Sequence, residues 1–171
     1  MREYYFRLLI VGDVGRGKTR LTARIAGALA SVYGWDLITV LDFAPGHERA
    51  GAPITLPPEA RVLRPWGLKA PRLTARNCGE MWELAMANAE LTGRMLKAYL
   101  ERPTPILVVN DVTIHLHAGD PGLMVKAIEE AVIFVGNGYY GESLRDECGL
   151  TERERVELEK IASMVDVVWR L

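Results

Sequence analysis

The stretch from Gly12 to Thr19 constrains the fold of this chain more than any other part of the sequence. It reads GDVGRGKT and directly follows an apolar run, Leu8–Val11. After Thr19 the apolar residues recur at helical spacing, as in Leu21, Ile25 and Leu29. The sequence therefore predicts a buried strand, a glycine-rich loop and a helix in that order.

The pattern G-x-x-x-x-G-K-T is that of the phosphate-binding loop, or Walker A motif. Glycine permits backbone angles that bring main-chain N–H groups close to phosphate oxygens. We expect Lys18 to neutralise the β- and γ-phosphates and to act in catalysis, and the Thr19 hydroxyl to bind Mg²⁺. The predicted nucleotide-binding residues are Gly12, Asp13, Val14, Gly15, Arg16, Gly17, Lys18, Thr19 and Arg20.

Size and composition indicate an ordinary globular chain. Its 171 residues carry a net charge of −1, so the charge balance gives no indication of nucleic-acid binding. No apolar run approaches the length of a membrane span, and the first predicted strand leaves no room for a signal peptide. The two cysteines, Cys78 and Cys148, suit a reducing compartment and argue against a disulfide framework. We therefore expect a cytoplasmic protein without a membrane partner.

Strands and helices are predicted to alternate along the chain. The expected strands are 1–11, 35–43, 105–111, 131–136 and 165–171, and the expected helices are 19–33, 77–100, 121–130 and one that starts with a capping box of Thr151 and Glu154. This order predicts one α/β domain over residues 1–171. Its fold would be three-layered (αβα), around a mainly parallel sheet of about five strands.

Residues 44–76 interrupt this alternation with a long segment rich in proline and basic residues. The segment holds six of the nine prolines, and Trp66 lies among its arginines. A connection of this length is either functional or mobile. We expect Arg64 and Arg72 to close over phosphates or an anionic substrate. The alternative is that the segment is a solvent-exposed excursion without a ligand, held to the protein by a packed Trp66.

Acidic residues end two predicted strands, at the edge where open α/β sheets bind ligands. Asp111 ends the apolar run PILVVND, which has the character of a Walker B strand, and we expect it to hold Mg²⁺. Asp42 ends the second strand, and either assists catalysis there or caps the loop. Val112 occupies the position where many hydrolytic enzymes of this kind carry a water-activating glutamate, so efficient hydrolysis is not expected.

For two further stretches, 113–117 and 137–141, the sequence leaves more than one role open. If the chain stays extended after Asp111, Thr113, His115 and His117 share one face, but we favour surface or loop histidines over a metal site because further ligands are missing. The stretch 137–141, NGYYG, either flanks a planar substrate with its tyrosines or forms a tight turn.

The Walker A residues and PILVVND resemble those of the P-loop NTPase superfamily. Within it, the order of parts is similar to that of the P-loop corrinoid adenosyltransferases, which transfer the adenosyl group of ATP to reduced cobalt. The similar parts are VLDFAPG, CGEMWELAMANAELTGRML, AVIFVGNGYYGESL and ASMVDVVWRL.

Three functions follow as expectations. The first is binding of ATP, or another nucleoside triphosphate, with Mg²⁺ for NTPase or phosphoryl-transfer chemistry, with a small-molecule acceptor as a possible second substrate. The second, implied by the resemblance, is adenosyl transfer to a corrinoid. The third is a nucleotide-dependent switch or assembly protein without catalysis, and a homo-oligomer is compatible with all three.

Overall fold

A computed structural model describes residues 4–171 and shows one parallel sheet with helices on both faces. The strands are β1 (Phe6–Gly12), β2 (Ile38–Asp42), β3 (Arg61–Leu63), β4 (Ile106–Asn110), β5 (Ile133–Tyr139) and β6 (Val167–Arg170). They lie in the order β3-β2-β4-β5-β1-β6, and every neighbouring pair is parallel. The α/β class and the parallel sheet are confirmed, but the sheet has six strands, since β3 arises inside the 44–76 segment.

The helices are α1 (Lys18–Tyr33), α2 (Pro71–Thr74), α3 (Cys78–Glu101), α4 (Val112–Leu116), α5 (Pro121–Glu130) and α6 (Leu150–Met164). A 3-10 turn, Trp35–Leu37, precedes β2, which therefore starts later than predicted. The predicted caps Asn77 and Asp120 accept hydrogen bonds from Glu80 N and Gly122 N, at 2.9 Å each. None of the helices within residues 4–171 has the length and apolar character needed to cross a membrane.

The two faces of the sheet bury different partners. On one face, Leu8, Ile10 and Val40 pack against Ala26 of α1. On the other, Leu9 and Leu41 belong to a larger cluster with Leu96 of α3, Ile114 of α4, Met124 of α5 and Leu158 of α6. Because strands buried on both faces are apolar throughout, the apolar run in β1 predicted this layering correctly.

The strand register aligns the carboxyl ends of the central strands. Gly12 pairs with Tyr139 across β1 and β5, and Asp42 pairs with Asn110 across β2 and β4. These four positions therefore lie at one edge of the sheet, where a parallel sheet presents its loops to a ligand.

The chain after Asp111 forms the short helix α4, so the condition under which Thr113, His115 and His117 would share one extended face is not met. Two local predictions were wrong. β5 continues through Tyr139, so Asn137 lies in the sheet and not in a turn. α6 begins at Leu150 after Gly149, whose φ of 87° is left-handed, so Thr151 does not cap this helix.

The cysteine prediction was also wrong. Cys78, at the start of α3, forms a disulfide with Cys148, and the two α-carbons lie 5.3 Å apart. The partners are 70 positions apart in sequence, so only the tertiary fold brings them together. The argument from free thiols to a reducing compartment therefore does not hold.

Candidate functional site

A cavity of about 560 Å³ opens at the carboxyl edge of the sheet. One wall is the loop and first turn from Val14 to Arg20. Further lining residues come from the segment 48–55 and from α2, together with Asp111, Asn137 and Tyr139. Its volume falls in the range of ordinary small-molecule sites.

The loop before α1 has a backbone that glycine favours. Gly15 and Gly17 have φ values of 74° and 83°, in the left-handed region. A Cβ at either position would meet no atom within 4 Å, so backbone conformation and not crowding explains these glycines. Lys18 folds over the loop, and its ammonium donates to the carbonyl oxygen of Asp13 at 2.6 Å.

Only part of the predicted loop faces the cavity. Val14 to Arg20 line it, whereas Gly12 and Asp13 do not. The Asp13 carboxylate accepts hydrogen bonds from Val14 N at 2.6 Å and from Glu142 N at 3.2 Å. A Cβ on Gly141 would lie 2.3 Å from Asp13 Cγ, so the glycine allows this close approach. Asp13 therefore fixes the loop against residues 141–143 from outside the cavity.

A buried hydrogen-bond network joins two residues that line the cavity, Thr19 and Asn137, through Asn110. Asn110 Oδ1 accepts from Thr19 Oγ1 at 3.2 Å and from Asn137 Nδ2 at 2.8 Å. Its amide nitrogen donates to Asp42 Oδ1 at 2.8 Å and to the carbonyl oxygen of Ala52 at 3.2 Å. All four hydrogen-bonding positions of the Asn110 side chain are thus used, which fixes the relative positions of α1, β2 and β4.

Asp42 belongs to this network as the acceptor of the Asn110 amide hydrogen bond. It is fully buried and forms an ion pair with Arg64. Its carboxylate also accepts from Ile54 N at 3.0 Å. Asp42 thus holds the start of the 44–76 segment and does not line the cavity, and Arg64 is engaged with it.

Asp111 lines the cavity and has an unusual backbone. Among residues 4–171, it is the one non-glycine residue with positive φ, at 65°. Such a conformation costs free energy, and it is found disproportionately at functional sites. Its carboxylate accepts from Thr113 Oγ1 at 2.5 Å, and its main-chain N–H donates to Asn137 Oδ1 at 3.0 Å. Burial raises the pKa of Asp111 to about 6, although the Thr113 hydrogen bond lowers it.

Lys18 has the opposite perturbation. Burial lowers the pKa of its ammonium, and the negative charges of Asp111 and Asp13 partly offset this effect. The ammonium and the Asp111 carboxylate therefore attract each other, and each partly offsets the effect of burial on the pKa of the other.

A second polar cluster borders the cavity and was not predicted. The Arg72 guanidinium binds the Glu154 carboxylate through two hydrogen bonds of 2.9 Å. Glu154 Oε2 also lies 2.6 Å from His117 Nε2. The ring of Tyr139 lies beneath Arg72, 5.0 Å from the guanidinium carbon. Arg72 and Glu154 are 82 positions apart, and the sequence offers no local signal for such a contact.

Neither His115 nor His117 is a surface residue, contrary to that part of the prediction, although His117 does lie in the turn after α4. His115 and His117 are each 1% exposed. His115 is fully bonded, with Thr92 Oγ1 at 2.8 Å from Nδ1 and the carbonyl oxygen of Asp120 at 2.9 Å from Nε2. Across residues 4–171, no group of three His, Cys, Asp or Glu side chains could hold a metal ion by itself.

The aromatic residues of the site have different roles. Tyr139 lines the cavity, whereas Tyr140 lies outside it, within 5.6 Å of Arg155 and 5.2 Å of Arg170. Trp66 is 95% exposed, so it is not a packed anchor of the 44–76 segment. Glu48 is a lining residue that the sequence analysis did not single out.

A scan against models of protein families finds no match to this chain, and a search of curated proteins finds none either.

Proposed function

We propose that this chain is a P-loop protein that binds ATP, or another nucleoside triphosphate, with Mg²⁺ for phosphoryl-transfer or NTPase chemistry. The observation that carries the proposal is the loop between β1 and α1. Its two left-handed glycines and the Lys18 ammonium lie at the wall of a cavity of about 560 Å³. Main-chain N–H groups, one cation and a helix start suit an anionic polyphosphate.

The metal would lie between Thr19 and Asp111, which both line the cavity. The Thr19 hydroxyl donates its hydrogen to Asn110 Oδ1, so its oxygen lone pairs are free to bind Mg²⁺. Asp111 supplies a carboxylate, the ligand type that Mg²⁺ prefers together with phosphate oxygens and water. When bound, Mg²⁺ would neutralise charge on the phosphates.

Transfer to an acceptor is favoured over hydrolysis by the residue after Asp111. Val112 is fully buried in the core, so this position supplies no base for a water molecule. Within residues 4–171, the carboxylates that line the cavity are those of Glu48 and Asp111. Asp111 is engaged with Thr113 and is the proposed metal ligand.

Binding tests the first part of this proposal. We expect Lys18→Ala to weaken binding of ATP with Mg²⁺ by about 10- to 100-fold in calorimetry, because a hydrogen bond from a charged group is lost. Lys97→Ala is the matched control, since Lys97 is exposed on α3 and lies outside the cavity. Equal affinity of both variants and the unchanged protein would contradict the proposal.

The products of turnover test the chemistry. ADP formed in proportion to a phosphorylated acceptor would support phosphoryl transfer, and ADP with free phosphate would indicate hydrolysis. Triphosphate released with a reduced corrinoid would indicate adenosyl transfer instead. Tight Lys18-dependent binding without turnover would leave a nucleotide-dependent switch as the function.

A further inference from the structure

The strand β6 lies at one edge of the sheet, and one of its faces is left uncovered by α1. In the parallel register, Val167 of β6 pairs with Leu8 of β1. Trp169 pairs with Ile10, so both side chains of β6 share a sheet face with their partners in β1. The two β1 residues are buried against α1, whereas Val167 and Trp169 stay 42% and 47% exposed. The apolar face of the sheet therefore continues beyond α1 to the edge.

The outer edge of β6 also presents main-chain groups to the surroundings. The strand order ends with β6, and across residues 4–171 its one strand partner is β1. The N–H and C=O groups on its outer side therefore pair with no strand in this range. An edge strand of this kind is a template for pairing with another strand.

Two opposite charges flank the centre of this strand. Asp166 and Arg170 are both exposed and lie two positions to either side of Val168. The Asp166 carboxylate accepts a hydrogen bond from Arg7 N at 2.7 Å, and the Arg170 guanidinium carbon lies 5.2 Å from the centre of the Tyr140 ring. Within the part of the chain that the structure describes, neither side chain forms an ion pair. Each charge is therefore open to an opposite charge on another molecule.

An antiparallel pair of β6 strands about a two-fold axis brings these charges together. With the axis at Val168, Asp166 of each copy lies opposite Arg170 of the other. On the other face of the sheet, Val167 of each copy lies opposite Trp169 of the other. Directly opposed side chains are in contact range, so the same register forms two ion pairs and covers the exposed apolar residues.

Other registers lack this complementarity. Directly opposed side chains share a face, so the axis must pass at a residue and not between two residues. An axis at Val167 places Asp166 opposite Val168, and an axis at Trp169 places Arg170 opposite Val168. In both cases a charge faces an apolar side chain. The other edge strand, β3, contains no acidic residue among its three and offers no such pairing of opposite charges.

We propose that β6 is a homodimer interface, in which the β6 strands of two copies pair antiparallel about Val168 and join two six-stranded sheets into one. The partner is a second copy of this chain, because the strand is complementary to itself both in charge and in apolar contact. None of the residues Val167–Arg170 lines the cavity. The interface is therefore separate from the proposed nucleotide site, and either can fail without the other.

Sedimentation velocity of the unchanged protein gives the first test. An interface built on one pair of strands is small, so we expect dissociation in the micromolar range. At a protein concentration of about 100 µM the sedimenting mass should then approach that of two chains. The mass of one chain at this concentration would overturn the proposal.

Charge reversal tests the register. Asp166→Arg places two arginines opposite each other, and Arg170→Asp places two aspartates opposite each other. Each variant alone should therefore self-associate about 10-fold more weakly than the unchanged protein. An equal mixture of the two variants restores opposite charges at both ends of the strand pair and should regain most of the lost affinity. The hydrogen bond from Arg7 N stays lost in the mixture, so the recovery reports the charge pairing alone.

The exposed pair Glu90 and Arg94 on α3 supplies matched controls. Glu90→Arg and Arg94→Asp make the same changes of charge away from β6 and should leave self-association unaltered. Self-association of Asp166→Arg or Arg170→Asp equal to that of these controls would overturn the proposal. No gain in affinity on mixing the two β6 variants would do the same.

A cysteine at the axis gives a result that does not depend on the folding of the charge variants. In the proposed register the two Val168 α-carbons lie about 4.5–5.5 Å apart, which is within the range of a disulfide. Under mild oxidation, Val168→Cys should form a covalent dimer on a non-reducing gel. Val167→Cys lies opposite Trp169 and should form a covalent dimer only when mixed with Trp169→Cys. A covalent dimer of Val168→Cys no more abundant than that of Val167→Cys alone would overturn the proposal.

Discussion

Asn110 accepts a hydrogen bond from Thr19 at 3.2 Å, which joins the first turn of α1 to the end of β4 beneath the cavity. The other three hydrogen-bonding positions of the same amide are used by Asn137, Asp42 and Ala52, so one side chain joins α1 and β4 to β5, β2 and the 44–76 segment. Thr19 and Asn110 lie on α1 and β4, and the proposed nucleotide site requires these two elements to stay rigid relative to each other.

We expect Asn110→Ala to lower the free energy of unfolding by about 2–4 kcal/mol, because it leaves buried polar groups of Asp42 and Asn137 without partners. Urea denaturation measures this change. Asn77→Ala provides the scale, since the loss of a single exposed helix cap costs about 1 kcal/mol. A cost for Asn110→Ala no greater than that of the cap variant would show that the network does not support the site.

The raised pKa of Asp111 predicts a pH dependence of stability. An aspartate has a pKa of about 3.9 in an unfolded chain, whereas Asp111 in the fold has one of about 6. Between these values the folded state binds more protons, so the contribution of Asp111 to stability falls as pH rises from about 4 to about 6.

Asp111→Asn removes this titration and keeps a residue type that tolerates left-handed backbone. Without Mg²⁺, we expect the stability of the variant relative to the unchanged protein to rise by about 1–3 kcal/mol between pH 4 and pH 7. Urea unfolding of both proteins at several pH values gives the difference between their free energies of unfolding. The titration of the other carboxylates contributes equally to both proteins and cancels in this difference. A difference that does not vary with pH would contradict the raised pKa.

The disulfide between Cys78 and Cys148 ties the start of α3 to the segment before α6. We expect the double variant Cys78→Ser, Cys148→Ser to lose about 2–4 kcal/mol of unfolding free energy, since the cross-link restricts the unfolded chain. A reducing agent should lower the melting temperature of the unchanged protein and leave that of the double variant unaltered. Titration of two free thiols in the native, unreduced protein would exclude the bond.

Features set by neighbouring residues were predictable from the sequence. The loop from Val14 to Lys18 and the caps Asn77 and Asp120 depend on residues within a few positions of each other. The layering of the sheet followed from the unbroken apolar run before Gly12. These signals sufficed for the fold class and for the loop wall of the cavity.

Features set by tertiary contacts were not predictable. β3 has three residues and lies in a proline-rich segment, so it carries no alternation of its own. Thr151 and Glu154 have the spacing of a capping box, but Glu154 is buried, where it forms an ion pair with Arg72 and a hydrogen bond with His117. The short run Val112–Leu116 is apolar enough for either a strand or a helix, and only packing decides between them.

The Arg72–Glu154 pair tests how far that cluster supports the fold. Both side chains are buried, so we expect Arg72→Met or Glu154→Leu alone to cost about 3–5 kcal/mol, because each leaves an uncompensated buried charge. The double variant should cost less than the sum of the two single-variant costs, and a double-mutant cycle by urea denaturation measures by how much.

The exposed pair Glu90 and Arg94 on α3 is the matched control, where Arg94→Ala should lower the free energy of unfolding by less than about 1 kcal/mol. Additive costs at Arg72 and Glu154 would show that the two charges do not depend on each other.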